Sequence, residues 1–139
     1  MKQVHYHDMR SVCLTTKCYR CCMNTNMLLS HHDIKTIESL GYKKDFFLIQ
    51  KNGWLQLKNN QGRCVFHTTE QCCIYDHRPE GCKLYPIVYQ NDTSQIMLDN
   101  DCPQRHQFEL TETAKQQLIR LLEHLQQERM QRKRVGRNL

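Results

Sequence analysis

The chain has 139 residues, of which 39 per cent are apolar and 8 per cent aromatic, with nine cysteines and a formal net charge of +6. That length suits one domain, but the ordinary apolar core is thin, and part of the apolar count is cysteine itself. No apolar run approaches the roughly 20 residues that span a bilayer, and residues 1–11 are polar and charged where a signal peptide needs a hydrophobic stretch, so the chain reads as cytoplasmic with no membrane segment.

In a reducing compartment the nine cysteines stay thiols, and clustered thiols there bind metal or react more often than they form disulfides. The odd count also argues against a fully paired disulfide framework. Arg129, Arg132, Lys133, Arg134 and Arg137 follow Glu128 with no acid among them, which leaves residues 1–128 nearly neutral. A basic tail of this kind makes nucleic acid a candidate partner through its phosphates; a solvated helix end is the bland reading.

In chain order, residues 1–11 are a lead-in without a clear period. Cys13, Cys18, Cys21 and Cys22 then form a C-x4-C-x2-C-C array on a loop. Ser30 offers a helix N-cap with Asp33 three positions on, and Ile34, Ile37 and Leu40 share one side until Gly41, so a short amphipathic helix is expected there. Asp45 is placed to cap a second short helix through residues 46–49, with a buried strand the close alternative for so brief an apolar run. After the Asn52-Gly53 turn, residues 54–58 read as a strand that pairs with residues 63–66 across Asn59-Asn60-Gln61-Gly62. Prolines bracket residues 78–86, which limits that segment to a turn or two of helix. Residues 87–89 and 95–98 form a further hairpin. From 111 to 132, Leu118, Leu121, Leu122 and Leu125 recur at helical spacing, with Thr113 and Gln116 as a capping box and a basic end that frays into solvent. The expected fold class is α+β, with residues 1–110 a cysteine-cluster domain and residues 111–139 a C-terminal amphipathic helix and basic tail.

The chemistry sits in two stretches. Residues 63–86 carry four cysteines, and residues 12–23 carry four more about 40 residues upstream. Closing that gap costs loop entropy that grows only logarithmically with length, and a tightly bound metal can offset it. Thiolate is a strong ligand for zinc and for iron–sulfur clusters. Neighbouring side chains diverge, so the two sulfurs of Cys21-Cys22, and those of Cys72-Cys73, have different destinations. Two metals or a multinuclear cluster fit this better than one isolated zinc.

The motifs stand in a recognisable order: Cys13, Cys18 and Cys21-Cys22; Gly62-Arg63-Cys64-Val65-Phe66; Cys73-Ile74-Tyr75; Arg78-Pro79-Glu80-Gly81-Cys82-Lys83-Leu84-Tyr85-Pro86; and Cys102-Pro103. In this the chain resembles the YkgJ-like family of small cysteine-cluster, zinc- or iron-chelating proteins, over about two-thirds of its length. The resemblance implies eight metal ligands, Cys13, Cys18, Cys21, Cys22, Cys64, Cys73, Cys82 and Cys102, and leaves Cys72 over. The first array is stretched, with Tyr19 where the family often has glycine. The implied cofactor is zinc or iron, an iron–sulfur cluster included, and the Cys102-Pro103 ending, like that of a ferredoxin, tilts the choice toward iron.

His67 and His77 flank the cysteine motifs as reserve ligands, but with so many sulfurs at hand they read as surface or supporting groups. His31, His32 and His124 read as solvated. Tyr75 and Tyr85 are read as covering the site, and Arg78 as bonding to backbone carbonyls beside a tight turn. No nucleophile, base and oxyanion-donor set is visible, so the chain reads as a binding protein rather than an enzyme. The competing classes are an iron–sulfur redox or accessory protein serving a partner enzyme, and a nucleic-acid or ribosome-associated module with a structural metal.

Overall fold

A computed structural model describes residues 20–68 and 71–135. It is a mixed α+β arrangement of short helices, two-stranded antiparallel hairpins and a long C-terminal helix. The first helix, α1 (His31–Ser39), begins where the sequence places it. The Asp33 N–H donates to Ser30 Oγ at 3.0 Å, and the Ser30 N–H donates to Asp33 Oδ2 at 2.9 Å, a closed capping box. The second Asp33 oxygen, unforeseen in the sequence, accepts from the Glu80 N–H at 3.1 Å and ties α1 to a distant segment.

The apolar run after Asp45 divides. Helix α2 (Lys44–Phe47) is one turn with no side-chain cap, and strand β1 (Leu48–Lys51) follows at once. The reason lies in the Asn52-Gly53 turn, where both residues have positive φ, 53° and 82°, as a two-residue hairpin loop requires. That turn folds β2 (Trp54–Leu57) back onto β1, with Leu48 opposite Leu57. The expected pairing of residues 54–58 with 63–66 is therefore corrected. β3 (Asn59–Asn60) and β4 (Arg63–Cys64) make their own minimal hairpin across Gln61-Gly62, again with φ positive at both. β5 (His67–Thr68) pairs with β6 (Gln71–Cys72).

The segment after Cys22 threads along these hairpins. The Asn24 N–H donates to the Gly62 carbonyl at 2.8 Å, the Leu57 N–H to Met27, and the Leu29 N–H to Leu55. Asn59 clamps the same segment, accepting from the Thr25 N–H and donating to its carbonyl. Helix α3 (Glu80–Leu84) packs against it so closely that a Cβ on Gly81 would collide with Met27 Sδ. The Cys21-Cys22 turn is thereby carried to the core that contains Cys64.

Two cores result. In the first, Leu29, Ile34, Ile37, Phe47, Leu55, Leu57, Cys64, Phe66 and Ile74 are buried together. Phe66 is at its centre, with the Tyr42 ring edge-on at 5.0 Å and Phe46 and Phe47 both at 5.8 Å. The second gathers Leu84, Ile87, Cys102, Phe108, Ala114 and Leu118 between α3, the hairpin of β7 (Ile87–Gln90) and β8 (Gln95–Leu98), and helix α4 (Glu112–Val135). The hairpin and the helix are as expected. The helix cap is not, because Thr111 Oγ1 accepts from the Ala114 N–H, two residues ahead of the expected Thr113.

The basic end of α4 docks rather than fraying. Arg132, only 7 per cent exposed, donates from Nε and Nη2 to the Gly53 carbonyl at 3.0 and 2.6 Å. Arg129 donates to the Asn52 carbonyl at 2.8 Å and stacks its guanidinium over Trp54. Glu128 accepts from the His31 N–H at the start of α1, where helix-dipole and hydrogen-bond terms both favour a carboxylate, and His124 lies 2.8 Å from its other oxygen. Two of the five tail charges are thus committed to the turn that the sequence marked as Asn-Gly. Among the described residues no helix is long and apolar enough to cross a membrane.

Candidate metal centre

Seven of the nine cysteines lie in the described residues, and all seven stand as thiols; Cys13 and Cys18 lie outside. The 3-10 turn Arg20–Cys22 carries the first doublet. Cys64 ends β4 and is 6 per cent exposed, Cys72 ends β6, and Cys82 sits in the middle of α3. Cys22, Cys72 and Cys82 are half-buried and pack against the core that contains Cys64. Three separate segments therefore bring sulfur against the core that buries Cys64. Cys102 is buried in the second core instead.

The second doublet is split by strand register. Cys72 pairs opposite His67 in the β5–β6 ladder and faces the core. Cys73 is exposed, its sulfur 3.6 Å from the Tyr42 hydroxyl. Cys73, one of the eight thiols that the resemblance implies as ligands, is thus the exposed member of the doublet, and Cys72, which it leaves over, is half-buried. The first doublet also splits: Cys22 packs on the first core, while Cys21 lines an open groove with Tyr85 and Asp99.

The sulfurs sense one another. Burial pushes Cys64 up and Cys82 well up, with the neighbouring thiolates adding to both. Burial likewise raises Cys72 to about 11, with Cys64 and Cys73 contributing. Cys22 is raised by its hydrogen bond to Cys21 and by burial, and that same bond, helped by the Arg78 charge, lowers Cys21 to about 7. Of the shifted thiols, Cys21 is the one pushed down. A soft cation replacing the thiol protons would relieve both the desolvation and the mutual repulsion, so the donor set fits a thiophilic metal. Among the described residues, no three His, Cys, Asp or Glu side chains meet in a coordination geometry.

Arg78 takes the role expected of it: Nε donates to the Tyr75 carbonyl at 3.1 Å, Nη1 reaches the Cys82 carbonyl at 3.4 Å, and the guanidinium lies over the Tyr75 ring at 4.0 Å. This fixes the entry to α3 and keeps a positive charge near the sulfurs. Tyr85 donates to Asp99 Oδ2 at 2.7 Å, and burial together with that bond holds its phenol well above the ordinary range. His67 is buried rather than at the surface, and burial, with the Arg63 charge, lowers its pKa; His77 is exposed. His31 and His124 remain about half exposed while contacting Glu128.

Asp99 escaped the sequence reading. Besides Tyr85, it accepts from the Asp101 N–H on Oδ1, and its carbonyl accepts from the Cys102 N–H at 3.1 Å, so it sets the loop that presents Cys102. The Asp-Asn-Asp run before Cys102 was the available signal, since Asp favours such side-chain-to-backbone turns.

A model of the CxxCxxCC family, described as a putative zinc- or iron-chelating domain, matches residues 12–104. No curated protein matches the chain, and no solved structure does.

Proposed function

The chain belongs to the CxxCxxCC family of metal-chelating domains, and from that premise we propose that it holds zinc or iron with Cys13, Cys18, Cys21, Cys22, Cys64, Cys72, Cys82 and Cys102. Cys72 replaces Cys73 in this set because it faces the core, whereas Cys73 faces solvent. The observation that carries the reading is that Cys22, Cys72 and Cys82, from segments far apart in sequence, all pack against the core that buries Cys64. When bound, the metal supplies a cross-link between those segments and the charge compensation that the thiolates need. The protein's own residues provide the rest. The Asn59 clamp and the Gly81–Met27 contact hold the segment that follows Cys22 in place, and Arg78 fixes the α3 entrance and counters thiolate charge.

The test is metal analysis and visible absorption of protein purified without oxygen from iron-replete cells. Stoichiometric zinc in colourless protein supports a structural metal. Brown protein with broad absorption supports an iron–sulfur cluster and a redox or accessory role, since filled-shell zinc is colourless. Cys72→Ser should lower bound metal, whereas Cys73→Ser should leave it unchanged. Protein that carries neither metal after reconstitution would refute the reading.

A further inference from the structure

We infer that the docked basic end of α4 and the β1–β2 turn together form one surface that binds the phosphate backbone of nucleic acid, through Lys51, Arg129, Lys133 and Arg134. This goes beyond chelation and does not depend on it. The cations come from two segments far apart in the chain. Residues 48–57, which form β1, its turn and β2, contain one charged residue, Lys51; residues 129–135 contain Arg129, Arg132, Lys133 and Arg134, and neither segment contains an acid. The turn brings them together. Arg132 donates to the Gly53 carbonyl and Arg129 to the Asn52 carbonyl. A Cβ on Gly53 would stand 3.2 Å from Lys133 Cγ and 3.3 Å from Arg129 Cγ, so both stems cross the turn itself. Lys51 stands opposite Trp54 in the ladder, and the Arg129 guanidinium lies 4.6 Å from the centroid of that ring. Lys51, Lys133 and Arg134 are exposed.

The groups that hold this cluster do not neutralise it. Arg129 and Arg132 are anchored on main-chain carbonyls, which satisfy a donor without cancelling its charge. Glu128, the acid that precedes them in the chain, is engaged by the His31 N–H and by His124. Burial lowers Arg132, and so does the Arg129 charge beside it, with Glu128 offsetting part of this. A polyanion relieves the repulsion of like charges held side by side and releases its own counterions in doing so. Arg129 to Arg134 span about 8 Å of helix axis, and each strand of a duplex carries a phosphate about every 3.4 Å, so the surface suits roughly three phosphates. A membrane surface suits it less, because an in-plane helix must expose an apolar face, and the leucine stripe of α4 is committed to the second core through Leu118, Leu121 and Leu122.

The experiment is fluorescence anisotropy of a labelled DNA duplex of about 20 base pairs, titrated with the reduced, metal-loaded full chain between about 50 and 200 mM salt. The logarithm of the association constant should fall with the logarithm of salt at a slope of about −3. Lys51→Gln and Lys133→Gln should each weaken binding several-fold and reduce that slope by about one. Lys115→Gln, the same loss of charge about 20 Å along α4 from Arg129, should do neither. Metal content should stay at the wild-type value in all three. Lys51 is the deciding residue, since it belongs to the surface but not to the helix end. Binding unchanged in Lys51→Gln would mean that the helix end acts alone, and would overturn the shared surface. No binding at the lowest salt, an equal loss from Lys115→Gln, or tighter binding to phosphatidylserine vesicles or to polyglutamate than to the duplex would overturn it as well. Chelation is read separately by the metal content and stands or falls apart from these outcomes.

Discussion

The two cores, nine buried residues in the first and six in the second, are built on different principles. The second has a four-residue hairpin and a 24-residue helix closing over aliphatic and aromatic side chains, with one cysteine among its buried residues. The first has four partly or fully buried thiols, and two of its hairpins are only two residues per strand. Strands that short do not persist in water without support. Sulfur is concentrated where the backbone is least able to hold itself. On the proposed reading, a metal held by the first core's thiols substitutes for secondary structure there, whereas the second core is closed by apolar burial under longer elements.

Stripping the metal is the strongest way to break this comparison. Structural zinc contributes roughly 10–16 kcal/mol of apparent binding free energy in small zinc-dependent folds, comparable with a whole domain's stability. The chelated, reduced protein should lose its cooperative melt. A melt within a few degrees of the metal-loaded form would mean that the first core needs no staple.

Core truncations sharpen the contrast. Phe66→Ala removes a fully buried ring from the first core and should cost about 3–5 kcal/mol; Leu118→Ala in the second should cost about 2–5 kcal/mol. The informative quantity is their metal dependence. In denaturant titrations the Phe66→Ala loss should depend on whether metal is bound, and the Leu118→Ala loss should not.

The smallest effect concerns the strap between the cores. Arg132→Met keeps much of the stem but leaves the Gly53 carbonyl without its two donors, which should cost about 1–3 kcal/mol. Metal content should stay at the wild-type value, because Arg132 touches the Asn-Gly turn and not the sulfurs. A coupled loss of metal would show that the strap and the site are one unit.

Much of this was legible in the sequence where the signal is local. Ser30 and Asp33 announce α1, the prolines around residues 78–86 confine α3, and the leucine spacing of α4 gives a helix. What failed depended on pairing. The strand at Trp54 had two candidate partners, and the positive-φ Asn52-Gly53 turn selected the upstream one. Which of Cys72 and Cys73 faces inward is a matter of register, and a one-residue slip reverses it. The docking of Arg132 was hidden because a charged helix end looks solvated until the carbonyl that receives it, 79 residues away, is in place. Likewise, the second oxygen of Asp33 has no local partner to betray it.

The most direct measurement is hydrogen exchange followed by mass spectrometry on the metal-loaded and metal-stripped chain side by side. Removing metal should abolish protection in residues 54–84 and leave substantial protection in the β7–β8 hairpin and residues 114–125 of α4. Equal protection of residues 54–84 in the two states would contradict a first core held together by its thiolate-bound metal.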